Sequence, residues 1–382
     1  MKAQITKKKE INYQFKLLYA LGMLFIVIGH GTGGLRIMED WFPYYSFHIA
    51  LFMFCSGYFY KLDSHEHTLQ FIWKKIKRLL IPLFLWNLFY AGFVLFISNF
   101  GFKIGLPLTL EKLTTGLITS GHQLGFNMGG WFVIPLFMCL VFTVLLRKIL
   151  SKWNCRAKEW ILTALYICFG VLGIFLARQG WGSGQPSWAL VVTRMLALMP
   201  YFGVGILYKT VLEKYDTLKN WVYFTIIIVL QLIVIGRSNG TVPGGTPSWS
   251  NYPATVSPII CGFTGIAFYL RITRILEPVL GKNKIINKIA DSTYAIMIHQ
   301  FLGFWLVTLA FGLLTAITHS GNFNWDKFQS SIWYKYYPSG QWHYGIIYIV
   351  AGITIPLLLQ KLLVTLLHLF SNKQKIQSNN KA

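Results

Sequence analysis

Acidic side chains are scarce in this chain: 12 Asp and Glu stand against 35 Lys and Arg in 382 residues. Charge of either sign makes up only 12% of the composition, against about 25% in an ordinary soluble domain. With 54% of residues hydrophobic, that shortage excludes a soluble globular body. Cysteine is sparse too. Cys55, Cys139, Cys168 and Cys261 fall within apolar runs and Cys155 in a basic connection, so no disulfide framework is implied. There is no internal repeat, no nucleotide-binding fingerprint and no Gly-x-Ser-x-Gly nucleophile setting. His65-Glu66-His67 lacks the further Cys or clustered carboxylates of a metal site, and no metal is expected. The basic amino terminus and the apolar run Leu17–Ile28 mimic a signal peptide. No small-residue cleavage pattern follows, so an uncleaved first helix is expected.

What the chain does have is apolar length. Runs suited to crossing a bilayer, each needing about 20 residues, recur at 15–33, 44–61, 79–99, 129–149, 159–178, 189–208, 221–236, 254–271, 292–317 and 343–369. Hydrocarbon offers no water to backbone groups, so these runs predict helices and an all-α, polytopic transmembrane bundle of about ten helices. The basic residues alternate between junctions. Some 27 of the 35 Lys and Arg fall at every second junction, seven at the others (Arg36, Lys103, Lys112, Arg178, Arg237, Lys327 and Lys335), and Arg194 lies within a run. This positive-inside bias predicts that both termini are cytoplasmic. It also disposes of nucleic acid as a partner despite the net charge of +23. The basic residues are parcelled into short loops on one side, where they report orientation and attraction to anionic lipid. Trp41, Trp73, Trp160, Trp181, Trp188, Trp221 and Trp342 flank the runs, as rings anchored at headgroup depth do. Residues 1–370 are expected to form one membrane domain and 371–382 a basic, disordered cytoplasmic tail.

Chemistry must then come from polar residues placed where they are costly. His30 ends the first run in Ile26-Val27-Ile28-Gly29-His30-Gly31, and His48 opens the second in Tyr45-Ser46-Phe47-His48. A short hairpin joins them, so both imidazoles can face one outer cavity, where their ordinary pKa of about 6.5 suits proton transfer. At about 100° per residue, Lys16, Tyr19 and His30 share a face of the first helix over roughly 20 Å. Such a line marks either a path or merely a snorkelling Lys and an interfacial Tyr. Lys74, Lys75, Lys77 and Arg78 precede Leu79-Leu80-Ile81-Pro82 at the inner start of the third run, where basic groups can clamp phosphates. Arg194 and His299 are ionisable residues within runs that must face the bundle interior or water, and their sequence setting identifies no chemistry. Ser56-Gly57 reads as a small-residue helix contact. The loops 237–257 and 319–342 mix aromatics with polar residues, a composition that suits saccharide and is also common in external loops.

At these residues the chain resembles the acyltransferase family 3 membrane proteins, which O-acylate bacterial cell-surface saccharides. Leu17–His30 looks like the family's first helix, and Tyr45-Ser46-Phe47-His48 through Ser56-Gly57-Tyr58 is similar to its second. Lys75–Pro82 resembles the basic pair leading to a proline, and Trp131-Phe132 with Pro135-Leu136-Phe137 resembles the fourth-helix pattern. Ser292-Thr293-Tyr294 through His299 is a weaker echo. The resemblance implies a multi-pass protein of the bacterial plasma membrane. It further implies an O-acetyltransferase using cytoplasmic acetyl-CoA and acting on an extracytoplasmic or lipid-linked saccharide. His30 matches the essential histidine, His48 the histidine opening the second helix, and Lys75 with Arg78 the pair that holds the donor. One position departs: Tyr19 stands where the family carries Arg or Lys, and Lys16 lies one turn away to supply charge. His48, Tyr19 and Lys16 are the candidates for steadying the oxyanion. The rival reading is a polytopic carrier or flippase for a lipid-linked saccharide or other solute, which also needs polar groups at depth.

Overall fold

The computed structural model describes residues 11–31, 38, 40–153 and 155–379, with side chains through 365. Lys2, Lys7, Lys8, Lys9 and Arg36 fall outside the described residues, as do the side chains of Lys373, Lys375 and Lys381. The described chain is all-α: α1 Tyr13–Gly31, α2 His48–Tyr58, α3 Thr68–Ser98, α4 Met128–Ile149, α5 Lys158–Arg178, α6 Trp188–Tyr215, α7 Asn220–Arg237, α8 Ser257–Leu280, α9 Lys284–Asp291, α10 Thr293–Thr318 and α11 Gly345–Asn379. The last helix runs past Ser371, into the segment expected as a disordered tail.

Nine of these helices are long and apolar enough to span a bilayer. The expected second crossing, 44–61, is different. It is an 11-residue helix, α2, preceded by a 3-10 turn at Tyr44–Ser46, and at about 1.5 Å per residue it is too short to span alone. It still traverses the bundle. Gly29 at the end of α1 abuts Tyr44, while Tyr58 stacks on Phe15 near the start of α1 at 3.7 Å between ring centroids. Eight of its 11 residues are buried. Irregular backbone is tolerated at membrane depth where protein covers it, so a full-length helix is not required here.

Close backbone approach holds α2 in place. A Cβ on Gly57 would lie 2.0 Å from the Phe202 carbonyl oxygen, and one on Gly205 would lie 2.1 Å from that of Phe54. Two glycines thus let α2 and α6 meet without side chains between them, as small residues do in membrane bundles. The window of α6 is 78% buried and that of α7 only 11%, which makes α6 a central helix and α7 a peripheral one. The amino-terminal helix α1 is central as well, packing against α2, α8, α9, α10 and α11.

The third helix carries a local widening. Residues Ile76–Leu80 form a π-helical turn just before Pro82. Proline has no N–H and crowds the carbonyl four residues back, so the turn opens by one residue, a feature often seen at functional sites. The Tyr294 hydroxyl donates to the Leu79 carbonyl at 3.3 Å.

Candidate active site

The bundle has two chemically distinct ends. The start of α1, the end of α2 and the start of α3 lie at a basic end. The end of α1 and the start of α2 lie at a histidine end. His30, one residue from the end of α1, approaches Gln300 of α10, with 3.3 Å between Nδ1 and Oε1. The Gln300 Nε2 donates to the Met297 carbonyl at 3.4 Å, which turns Oε1 toward His30. An amide oxygen only accepts, so Nδ1 carries the proton and Nε2 keeps its lone pair. His48, the first residue of α2, has its Nδ1 2.6 Å from the Tyr44 carbonyl oxygen. The same logic leaves its Nε2 basic. The two imidazoles are near enough to interact electrostatically. Glycine at 29 permits this hairpin, because a Cβ there would lie 2.8 Å from the Tyr44 ring.

Aromatic side chains and loops wall this end. The His30 ring lies 5.1 Å from Phe301 and 5.9 Å from Trp333. Residues 331–337 form a strap across the end of α1. Its Tyr337 hydroxyl donates to the Gly31 carbonyl at 3.2 Å. The Tyr348 hydroxyl of α11 accepts from Tyr336 N at 3.0 Å and donates to Tyr336 O at 2.9 Å. Lys335, on the strap, interacts electrostatically with His30, and burial pushes its pKa down to about 8.

A second loop brings His122, stacked on Trp249 at 4.7 Å and 18°. Burial, then the neighbouring Arg194 guanidinium, push the His122 imidazole down to about 4, and His30 is also within electrostatic reach. It is therefore neutral near pH 7, and its buried Nδ1 has no hydrogen-bond partner among the described residues. Arg194 of α6 is fully buried. It donates through Nε to the Ser248 carbonyl at 2.8 Å and through Nη1 to the Ser120 carbonyl at 3.1 Å, with Nη2 also on Ser248. Its guanidinium lies 5.2 Å from the Trp131 ring. Arg194 thus fastens two loops of the histidine end together, the role that its sequence setting left open.

The basic end is organised by ion pairs. Lys16 meets Asp291 of α9 at 2.8 Å, Arg147 meets Glu159 at 2.6 Å, and Arg271 and Arg274 share Asp216. Lys74, Lys75 and Arg78 have no carboxylate partner among the described residues. Lys75 is half-buried, 5.2 Å from the Phe71 ring and within electrostatic reach of Lys74 and Arg78. Tyr19 lies between the ends: its ring packs 5.8 Å from Phe52, and Ser56 and Arg78 are within electrostatic reach of its hydroxyl.

The structure brings His30 and His48 together, and Tyr19 with Arg78. It does not bring Lys16 to His30. The 14 steps from one to the other put them about 20 Å apart along α1, and Asp291 already neutralises the ammonium. His299 is satisfied elsewhere, with the Tyr90 hydroxyl at 2.7 Å and the Trp86 ring at 4.1 Å. Gln300, His122 and Trp333 carried no signal in the sequence, and Lys335 counted only as one outer lysine among several. A cavity of about 460 Å³ lies away from the histidines, between α5, α6 and α8. Its lining, including Phe54, Trp160 and Phe263, is apolar.

Fold and site together define a multi-pass membrane helix bundle that holds a paired-histidine centre at one end and unpaired cations at the other. A family model described as an acyltransferase domain matches residues 12–361. The chain therefore belongs to acyltransferase family 3 and is a membrane acyltransferase. No curated protein and no solved structure matches it.

Proposed function

We propose that this acyltransferase moves an acetyl group from acetyl-CoA to a hydroxyl of an extracytoplasmic or lipid-linked saccharide. The observation that carries the reading is the His30 imidazole, held by Gln300 with Nε2 free and facing the aromatic end. The basic end faces the cytoplasm in this reading, as the positive-inside bias favours, in a bacterial plasma membrane with both termini inside. Lys75 and Arg78 receive the coenzyme A phosphates. Their fit is chemical: they are cations without a carboxylate partner among the described residues, beside a widened turn, where the buried Arg147 and Arg271 at the same end are both paired. Lys16 stands at the donor mouth in an ion pair with Asp291 and adds no net charge there. Tyr19, beside Arg78 and Ser56, lines the route of the pantetheine arm.

The acceptor hydroxyl approaches His30 from the opposite side. Nε2 takes its proton as the oxygen attacks the thioester carbonyl carbon, general-base help worth typically about 10²–10⁴-fold. A tetrahedral intermediate forms, and His48 can donate to its oxyanion only as the imidazolium, because the neutral ring spends its one N–H on the Tyr44 carbonyl. Collapse breaks the carbon–sulfur bond, and the coenzyme A thiolate leaves with the proton returned from His30. Atoms and charge balance without a metal or a covalent enzyme intermediate.

The test uses membranes containing the protein, labelled acetyl-CoA and surface polysaccharide. The expected result is alkali- and hydroxylamine-labile label in the glycan with wild type. With His30→Ala at equal expression, label falls at least about 10²-fold. Undiminished transfer by His30→Ala removes the imidazole from the mechanism. Movement of saccharide without covalent label supports a carrier instead.

A further inference from the structure

Lys335 is a cation placed where cations are normally paired. The strap that carries it is fixed on both sides, by Tyr337 to α1 and by Tyr336 to α11, so its position is set by the fold. Its ammonium lies 5.5 Å from the Phe304 ring and 5.6 Å from the Trp333 ring, contacts that offset part of its desolvation. It has no carboxylate and no hydrogen-bond acceptor among the described residues, although it is half-buried. The described ion pairs all gather at the opposite end of the molecule. Trp333 beside it is 49% exposed, which leaves ring surface free next to His30. A desolvated cation without a counter-ion calls for one from outside.

We propose that the acceptor is an anionic saccharide: Lys335 receives its carboxylate or phosphate while the sugar ring rests on Trp333, its hydroxyl directed to His30. The proposal rests on the reading that this end takes the acceptor, and it deepens that reading by naming the acceptor's charge. A neutral sugar would leave Lys335 desolvated and unpaired in the complex, so discrimination against neutral acceptors follows from the same geometry. His30 is the group to which the acceptor is presented, and Lys335 is a specificity determinant that touches substrate away from the reacting atoms.

The test is equilibrium binding without donor, using protein in zwitterionic lipid discs. The probes are a fluorescent hexuronate trisaccharide, its neutral hexose analogue and a phosphate-bearing trisaccharide. Wild type is expected to bind at least one anionic probe about tenfold or more tightly than the neutral one, the size of a single charge-assisted contact. Whichever of the carboxylate and phosphate probes binds identifies the acceptor's group. In Lys335→Gln the preference should collapse toward unity, and Lys335→Arg should restore most of it. Lys327→Gln, an exposed lysine nearby, should leave it unchanged. Equal wild-type affinity for all three probes overturns the proposal even if Lys335→Gln fails to fold. So does a preference that survives Lys335→Gln. If anionic probes bind through Lys335 but no label is ever transferred, the acyl-transfer reading fails and this one stands. If label is transferred as readily to neutral as to anionic acceptors, the reverse holds.

Discussion

Gln300 does for His30 what the Tyr44 carbonyl does for His48: each occupies Nδ1 and leaves Nε2 as the base. The proton position on His30 thus depends on one neutral hydrogen bond, of a kind worth about 0.5–1.5 kcal/mol. Gln300→Leu keeps the volume and removes the acceptor. It is expected to lower kcat by about 3- to 10-fold, with KM for acetyl-CoA unchanged, as steady-state assays on purified protein will read. A change in donor KM alone would show that Gln300 does not act through the imidazole. Of the residues at this end, His30 and His48 were legible in the sequence because a hairpin of fixed length joins them. Gln300, His122 and Lys335 reach the same place from points 92 to 305 positions along the chain, and no local pattern encodes a meeting of that kind.

At the scale of elements, hydropathy read the long helices well and misjudged α2. A run from 44 to 61 is apolar whether it faces lipid or protein, so composition alone predicts a full crossing. The fold instead buries an 11-residue helix behind its neighbours. The signal for this was Ser56-Gly57, legible as a close helix contact, though its partner Gly205 was not. The contact sets a prediction. Gly57→Val drives side-chain carbon against the Phe202 carbonyl, where even a Cβ would lie at 2.0 Å, and overpacking costs typically about 1–3 kcal/mol or more. Expected is a loss of detergent-extractable monodisperse protein and a lower melting temperature, with Gly92→Val, which meets open space, as the comparison. Normal melting of Gly57→Val would show that α2 and α6 separate readily. The face shared by Lys16, Tyr19 and His30 was sound helix geometry, but α9, α2 and α10 claim the three side chains separately.

For the whole molecule, the alternation of basic junctions is a feature of composition, and the orientation drawn from it is a proposal. The proposed orientation makes opposite ends accessible from opposite compartments. With Cys155 and Cys168 replaced by serine, Asn322→Cys at the histidine end should react with an impermeant maleimide in intact cells. Lys152→Cys at the basic end should react only after permeabilisation. The inverse pattern would place the histidines inside the cell and deny them a surface glycan.

The fastening of the rim has one more consequence. Arg194 grips its loops through peptide carbonyls, and such oxygens take up no proton at ordinary acidity. The pairs at the other end run instead through the carboxylates of Glu159 and Asp216. The two sides of the molecule are thereby tied by different knots, one made to neutral peptide groups and one made between opposite charges, and only the second depends on keeping two charges matched.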